Sequence, residues 1–471
     1  MKQHFRTVLL LATVAASLAV PASAHAILVG AESNGELVNS DRTPALQAIA
    51  LDKMRKQGVQ VVRVNWGWNE VATPVCAAQT PELLENHENT CYNWVLFDSL
   101  VSQATARNMR VLVSISRVPV WVSGNADPYF MGSTTAQFQK VMANFAAFHK
   151  AAATRYAPGS AHGTVNYWTV YNEPNSDFFW KPAPNPQRYA ALYAATAKAI
   201  KAASPSAQVA PGPTNPRTNT NLGGIRPVPF IKQFQRWIPK YLPGTSARKH
   251  INAWAHNPYP GFNSQPSVPS RLATPDSIGM GNVNRLYALL DSHPSTRGTK
   301  VWATEFGWET SGTNRTTLAR QAQFIAEAFH WLDASGRVTI GIQYGLTDPT
   351  NPDDWQSGTF TASGATKPAF KMFQRMISIP QAGLNNRVRR GTPVKVWARS
   401  NVAPSKGVLA FKRAGDPVWR TVPGQRRKAD GTITATLRAT DRWYQVAVYD
   451  TGNAALGIPA GYGLTRNFAT S

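Results

Sequence analysis

Two glutamates stand out by their surroundings: Glu173 in WTVYNEPN and Glu305 in VWATEFGW, each closing an apolar, β-branched and aromatic run. Buried parallel strands read this way, as near-continuous apolar segments that end in a polar group at the edge of the sheet. The two lie 132 residues apart, which is about three βα units of roughly 44 residues each. In an eight-stranded βα barrel that spacing puts them on strands 4 and 7, facing each other across the C-terminal mouth. Two facing carboxyls over one bond are the equipment for cleaving a glycosidic linkage. One protonates the leaving oxygen while the other attacks or stabilises the anomeric carbon as oxocarbenium-like charge builds. Glu173 reads as the acid/base, with a pKa raised by apolar neighbours such as Trp168 or Tyr171 and by the charge of Glu305. Glu305, kept ionised, reads as the nucleophile. The alternative for either is a barrel-end glutamate in a structural ion pair.

Other side chains near the same strand ends could complete such a site. Asn172 immediately precedes the acid, so on a regular strand it points to the opposite face unless a bulge intervenes. Arg63, in VQVVRVNW, would be a costly core charge unless paired. Its partner is either Glu305, whose pKa it would lower, or an acid at the lower end of the barrel. His256 and Tyr259, in HNPYP, can donate to a nucleophile or a sugar, although a buried histidine on an apolar strand is often only a satisfied core residue. Tyr344 ends the eighth strand. Trp66, Trp68, Trp121, Trp180 and Trp308 lie just past barrel strands, where flat rings either stack on pyranose faces or pack the core. Glu309 reads as a solvated loop acid. The nine histidines are scattered without ligand spacing, so no metal is expected. No Gly-rich phosphate loop follows the first strand, which weighs against a dinucleotide fold and leaves no cofactor implied.

The elements that must position these residues alternate from residue 27 onward. Strand candidates are AILVG, VQVVRVNW, MRVLVSIS, VNYWTVYNE, AQVAPG, INAWAHNPY, TKVWATEF and VTIGIQYG. Between them run amphipathic stretches such as PALQAIALDKMRKQG and TAQFQKVMANFAAFHKAAATRY, with apolar residues at i, i+3, i+4 and i+7. The long connections, near 66–93, 117–134, 173–186, 212–228, 257–280, 306–314 and 346–366, all follow strand C-termini and are rich in Pro, Asn, Gly and aromatics. This predicts a (β/α)8 barrel over 27–380, closed by KPAFKMFQRMI as its eighth helix. Beyond it, RGTPVKVWARS, KGVLAFKRAG, GTITATLRAT and RWYQVAVYD show period two and turn residues. They predict a small Ig-like antiparallel β-sandwich over 381–471.

Bulk properties bound the setting. Residues 1–26 carry Lys2 and Arg6, an apolar stretch and A-x-A sites at Ala22–Ala24 and Ala24–Ala26, the pattern of a cleaved secretory leader. No later run approaches the roughly 20 apolar residues of a membrane span. Export agrees with Cys76 and Cys91, close together in a polar loop, forming a disulfide. The net charge is +24, and after residue 380 there are 15 Lys/Arg against 4 Asp/Glu. Without a nucleic-acid-binding motif, the partner expected for this charge is an anionic cell-envelope polymer or acidic polysaccharide.

The barrel region, roughly 27–377, resembles the clan A glycoside hydrolases, most closely families 39 and 5. The likeness is carried by GVQVVRVNWGWNEV, NWVLFDSLVSQATARNMRVLVSIS, NYWTVYNEPN, AIKAASPSAQVAPG and HNPYP. It implies a retaining mechanism with Glu173 as acid/base and Glu305 as nucleophile, a bond from Asn172 to the sugar 2-hydroxyl, and the His256/Tyr259 pair beside the nucleophile. Two departures stand where the sugar would sit. Strand 8 offers Tyr344, with Trp355 further along the loop, in place of a tryptophan, and strand 3 ends SISRVP without a histidine. The implied activity is that of a secreted β-glycoside hydrolase, endo-acting on a polysaccharide. The alternatives are an exo-acting β-xylosidase or β-glucosidase, or a non-catalytic envelope glycan-binding protein.

Overall fold

The computed structural model describes residues 27–470 apart from 40, 262–270, 314, 383–385, 414, 442 and 450–465. The expected leader, 1–26, lies outside the described residues. Eight parallel strands appear in the anticipated places: β1 Leu28–Glu32, β2 Val61–Gly67, β3 Arg110–Ser116, β4 Tyr167–Val170, β5 Gln208–Pro211, β6 Ala253–His256, β7 Lys300–Phe306 and β8 Val338–Tyr344. Their order in the sheet is β5-β4-β3-β2-β1-β8-β7-β6. The seam between β5 and β6 is closed by single contacts. Asn252 N donates to Val209 O at 2.9 Å, and Thr214 N donates to Ala255 O at 3.2 Å. The Asn252 side chain accepts from Val209 N at 2.9 Å.

Helices α1 Pro44–Gln57, α2 Val95–Ala106, α3 Thr135–Arg155, α4 Pro186–Ala203, α5 Pro227–Tyr241, α6 Asn284–Asp291, α7 Leu318–Ala334 and α8 Pro368–Gln374 ring the barrel. Local chemistry sets their ends. Thr134 and Gln137 form a reciprocal capping box on α3, satisfying donors that the first helical turn leaves unpaired. Thr43 caps α1, Pro44 opens it, and Gly58 at φ 84° ends it in the left-handed region, which glycine enters without steric cost. Val61, Leu112, Ala210, Ala253, Trp302, Ile340 and Ile342 pack together at the barrel axis. The larger core lies between strands and helices, each buried aliphatic or aromatic side chain there contributing about 1.5–3 kcal/mol.

The last helix stops earlier than its periodicity suggests. Arg375–Ile377, read from sequence as the end of the closing helix, belongs instead to a strand, Arg375–Ser378, paired antiparallel with Pro393–Ser400. It belongs to a four-stranded sheet with Thr432–Arg438 and Arg426–Arg427, which faces a five-stranded sheet containing Val408–Arg413, Trp443–Tyr449 and Arg466–Thr470. Between them Val394, Val396, Leu409, Phe411, Ile433, Val446 and Val448 form a separate core. Pairing with Pro393–Ser400 overrides the helical pattern of the run. This sandwich is bolted to the barrel. Trp397 Nε1 donates to Asp333 Oδ2 at 3.1 Å, its ring stacks on His330 with centroids 5.2 Å apart, and Asn401 Nδ2 donates to Phe373 O at 2.5 Å. Cys76 and Cys91 are bonded, with Cα atoms 5.1 Å apart, and staple the loop after β2. Among the described residues no helix is long and apolar enough to cross a membrane.

Candidate active site

Backbone irregularities deliver the two central glutamates. β4 ends at Val170, and Tyr171 and Glu173 follow with φ of 71° and 44°, left-handed conformations that cost non-glycine residues of order 1–3 kcal/mol and cluster at functional sites. They break the strand alternation, so both Asn172 and Glu173 line the mouth rather than opposite faces. On β7 the pairing with β8 steps from Ala303↔Gly341 to Phe306↔Gln343. The one-residue excess is a bulge at Thr304 and Glu305, the device that re-aims a side chain at a barrel rim.

Glu173 is buried among amides. Asn215 Nδ2 donates to its Oε2 at 2.7 Å, and Asn257 Nδ2 donates to its Oε1 at 2.8 Å. Burial first, and then the charge of Glu305, push its carboxyl up to about 7 against the pull of these amides. Glu305 has different company. Arg63 Nη1 donates to its Oε1 at 2.5 Å and the Tyr259 hydroxyl donates to its Oε2 at 3.1 Å. Arg63 is fully buried and turns its other nitrogen to Asn172 Oδ1 at 3.0 Å and to Asn65 Oδ1 and Ser114 Oγ, each at 3.2 Å. One carboxyl is therefore biased toward holding a proton, while the other meets a guanidinium and a phenol.

A third carboxyl lies beneath them. Glu32, the last residue of β1, is register partner to Arg63 on β2 and to Tyr344 on β8. Its Oε2 accepts from Arg63 Nη1. Its Oε1 accepts from Asn34 Nδ2 at 2.7 Å and Asn65 Nδ2 at 3.1 Å. Burial drives it up to about 8, with Arg63 pulling it down and Glu305 adding to the rise.

Two lobes open on either side of the carboxyls. The larger, about 770 Å³, is walled by Asn215, Arg217, Arg226, Tyr259, Tyr344 and Trp355. The smaller, about 260 Å³, is walled by Asn34, Asn65, Arg117, Tyr129, Asn172 and Phe178. Glu173, Glu305 and Tyr344 border both.

Sequence reading and structure part company at several residues. Trp66, Trp68, Trp180 and Trp308 are core side chains, at most 1 % exposed, and line neither lobe. Trp66 packs on Phe97 and Tyr156, Trp68 on Phe145 and Phe148, Trp180 on Tyr171 and Tyr189, and Trp308 on Phe324. Trp121 stands edge-on to Trp68 and donates to Ala72 O at 3.3 Å. Trp66 lies within β2 and the others follow strands, and all of these rings pack between barrel and helices, where apolar area is removed from water. Trp355, on the β8 loop, is the tryptophan that reaches the cleft. His256 is likewise satisfied in the core, bonded to Thr214 Oγ1 at 2.7 Å and Ile278 O at 2.8 Å, and burial lowers its pKa to about 4. Its neighbour Asn257 reaches Glu173 instead. Tyr259, Tyr344, Asn172 and Arg63 all join the cluster. Glu32 was missed although AILVGAE is itself an apolar run ending in a carboxylate. Asn215 and Asn257 carry no such signal, being two of many loop asparagines.

Residues 39–220 match the model for Glycosyl hydrolases family 39. No curated protein is significantly similar to the chain in sequence. Among solved structures, a family 39 glycoside hydrolase from the gut symbiont Bacteroides cellulosilyticus is similar with a TM-score of 0.55 and 14 % identity, over 91 % of this chain and 81 % of the other. A monomeric beta-xylosidase from Caulobacter crescentus follows with a TM-score of 0.52 and 17 % identity, over 90 % and 95 %. A family 39 enzyme from Xanthomonas axonopodis pv. citri gives 0.51 and 18 %, over 90 % and 93 %. At these identities the structural likeness establishes a shared fold.

Proposed function

We propose that this chain, which matches the family 39 model over residues 39–220, is a glycoside hydrolase that cleaves O-glycosidic bonds by double displacement, with Glu173 as acid/base and Glu305 as nucleophile. The observation that carries this is the opposite environment of two carboxyls facing one cleft. Glu173, held at about 7 among neutral amides, can give a proton to the leaving oxygen near neutral pH. Glu305, against Arg63 and Tyr259, has both oxygens fixed for attack on the anomeric carbon. In the second step ionised Glu173 takes a proton from water, which displaces Glu305 and restores the starting configuration.

Azide separates the roles. With E305A, turnover is lost and azide restores cleavage of an activated aryl glycoside, giving an inverted glycosyl azide. With E173A, the first step survives for good leaving groups, and azide gives a retained product. Wild-type product of inverted configuration by NMR would overturn the assignment.

Action within a polysaccharide chain is supported by the lobes on both sides of the carboxyls. The smaller lobe favours a second reading, exo-action of the β-xylosidase or β-glucosidase kind, because it has room for few sugars. End-labelled oligosaccharides distinguish them: internal cleavage releases mixed lengths, and exo-action releases single units. Lack of hydrolysis across a broad glycan panel would revive a non-catalytic glycan-binding role.

The leader-like segment 1–26 supports export. The sandwich, with its excess of cations, is proposed to contact an anionic envelope polymer. What supports this is a groove of about 650 Å³ whose walls include Lys395, Arg426, Thr434 and Thr436 and no carboxylate. Salt-dependent retention of the exported protein on cell-envelope material tests it, and retention unaffected by K395E/R426E would exclude this face.

A further inference from the structure

The catalytic cluster holds one fully buried cation and three carboxyls, and the reaction changes the charge on two of them. Arg63 Nη1 donates both to Glu32 and, at 2.5 Å, to Glu305. Glu32 is 0 % exposed and lines neither lobe, so no sugar reaches it and it is not a reacting group. Both of its oxygens face donors, from Arg63, Asn34 and Asn65, an arrangement that stabilises the ionised carboxylate.

We propose that Glu32 is a positioning residue whose carboxylate stays as the anionic partner of Arg63 when Glu305 is converted to an ester, and so holds the guanidinium in place through the covalent intermediate. This rests on the double-displacement reading above. In the first step a Glu305 oxygen bonds to the anomeric carbon, the glycosidic C–O bond breaks, and the Glu173 proton passes to the leaving oxygen. Glu305 ends neutral and Glu173 ends charged. Arg63 thereby loses the anion at 2.5 Å, and an unpaired buried cation is expensive. It would also oppose the positive charge that builds on the sugar in the second transition state.

Glu32 answers this through the groups that face it. These are Arg63 and Asn65 from β2, Asn34 just after β1, Glu305 from β7, Tyr344 from β8 and Tyr259 after β6. In the resting site Arg63 Nη1 is shared between Glu32 and Glu305; three donors hold the Glu32 carboxylate, while burial and the Glu305 charge work against its charge. Esterification removes the Glu305 charge. The Glu32 carboxylate then holds Arg63 without competition, and hydrolysis of the ester restores the shared pairing.

The test uses the full-length enzyme and the 2,4-dinitrophenyl β-glycoside that the wild type turns over fastest, for which the second step limits. E32Q, similar in shape but unable to ionise, should lose at least about tenfold in kcat, with KM falling in parallel and kcat/KM held within about threefold. Glycosyl-enzyme should then accumulate and appear by intact-protein mass spectrometry. E32D keeps the charge but draws it back from Arg63. It should show the same pattern with a smaller kcat loss, and it decides the matter alone if E32Q does not fold. A kcat/KM that falls in step with kcat, without glycosyl-enzyme, would mean that Glu32 only supports the fold. Unchanged kinetics would mean it has no part. If instead E305A retains turnover or the wild type inverts, the double-displacement reading fails and takes this inference with it.

Discussion

Asn257 donates to Glu173 Oε1 at 2.8 Å while its own carbonyl accepts the Thr304 hydroxyl, also at 2.8 Å. Thr304 immediately precedes Glu305 in the β7 bulge, so one amide, fixed in orientation, links the proposed acid to the strand that carries the proposed nucleophile. Because an amide donor favours the ionised acid, N257A should raise the Glu173 pKa. One hydrogen bond, worth about 0.5–1.5 kcal/mol, corresponds to about half to one pH unit. The alkaline limb of kcat/KM should move up by that amount, and an unmoved limb would separate Asn257 from the acid.

Under the proposed mechanism that limb in the wild type reflects Glu173 losing the proton it would donate. With Glu173 at about 7, kcat/KM should fall as pH rises through that region. For aryl leaving groups of low basicity, which need no proton, the limb should flatten. A limb that is independent of the leaving group would assign it to another residue.

The same pKa elevation costs stability. Glu173 binds its proton more tightly in the folded protein than at the ordinary carboxyl value of 4.5. Its unfavourable contribution is therefore absent at or below pH 4.5 and fully present above about 7. E173Q, which cannot ionise, should match the wild type near pH 4.5 and exceed it at pH 8 by up to about 3 kcal/mol. Urea titrations at the two pH values measure this.

Tyr259 is the neutral donor to Glu305, and its hydroxyl is held well above the usual phenol range by burial and nearby carboxylates. Y259F removes that bond without opening a cavity. It should lower kcat by about 10- to 100-fold and leave the melting temperature within a few degrees. A large loss of stability would mark the phenol as structural.

The tryptophans divide by position. W66A should cost about 3–5 kcal/mol of stability, because the ring is fully buried against Phe97 and Tyr156. W355A should spare stability and raise KM, since Trp355 borders the larger lobe. Equal effects on both quantities would contradict the placement.

Much of this molecule was legible from its residues alone. The period of apolar residues specifies eight βα units because burial on both faces of a parallel strand demands continuous apolar runs. The 132-residue spacing of Glu173 and Glu305 follows from that repeat. Arg63 stands out in the sequence because an unpaired charge on an apolar strand is too costly to persist. Which of its possible partners it meets was decided only when β1, β2 and β7 came together, since register sets Glu32 beside Arg63 and the curl of the sheet brings Glu305 across the mouth to the same guanidinium. The tryptophans and His256 show the same limit. Strand-end position does not say whether a ring turns to the mouth or to the helices, and the local twist and bulges decide that. The fate of Arg375–Ser378 was tertiary too, because its helical pattern yields to the hydrogen bonds offered by Pro393–Ser400.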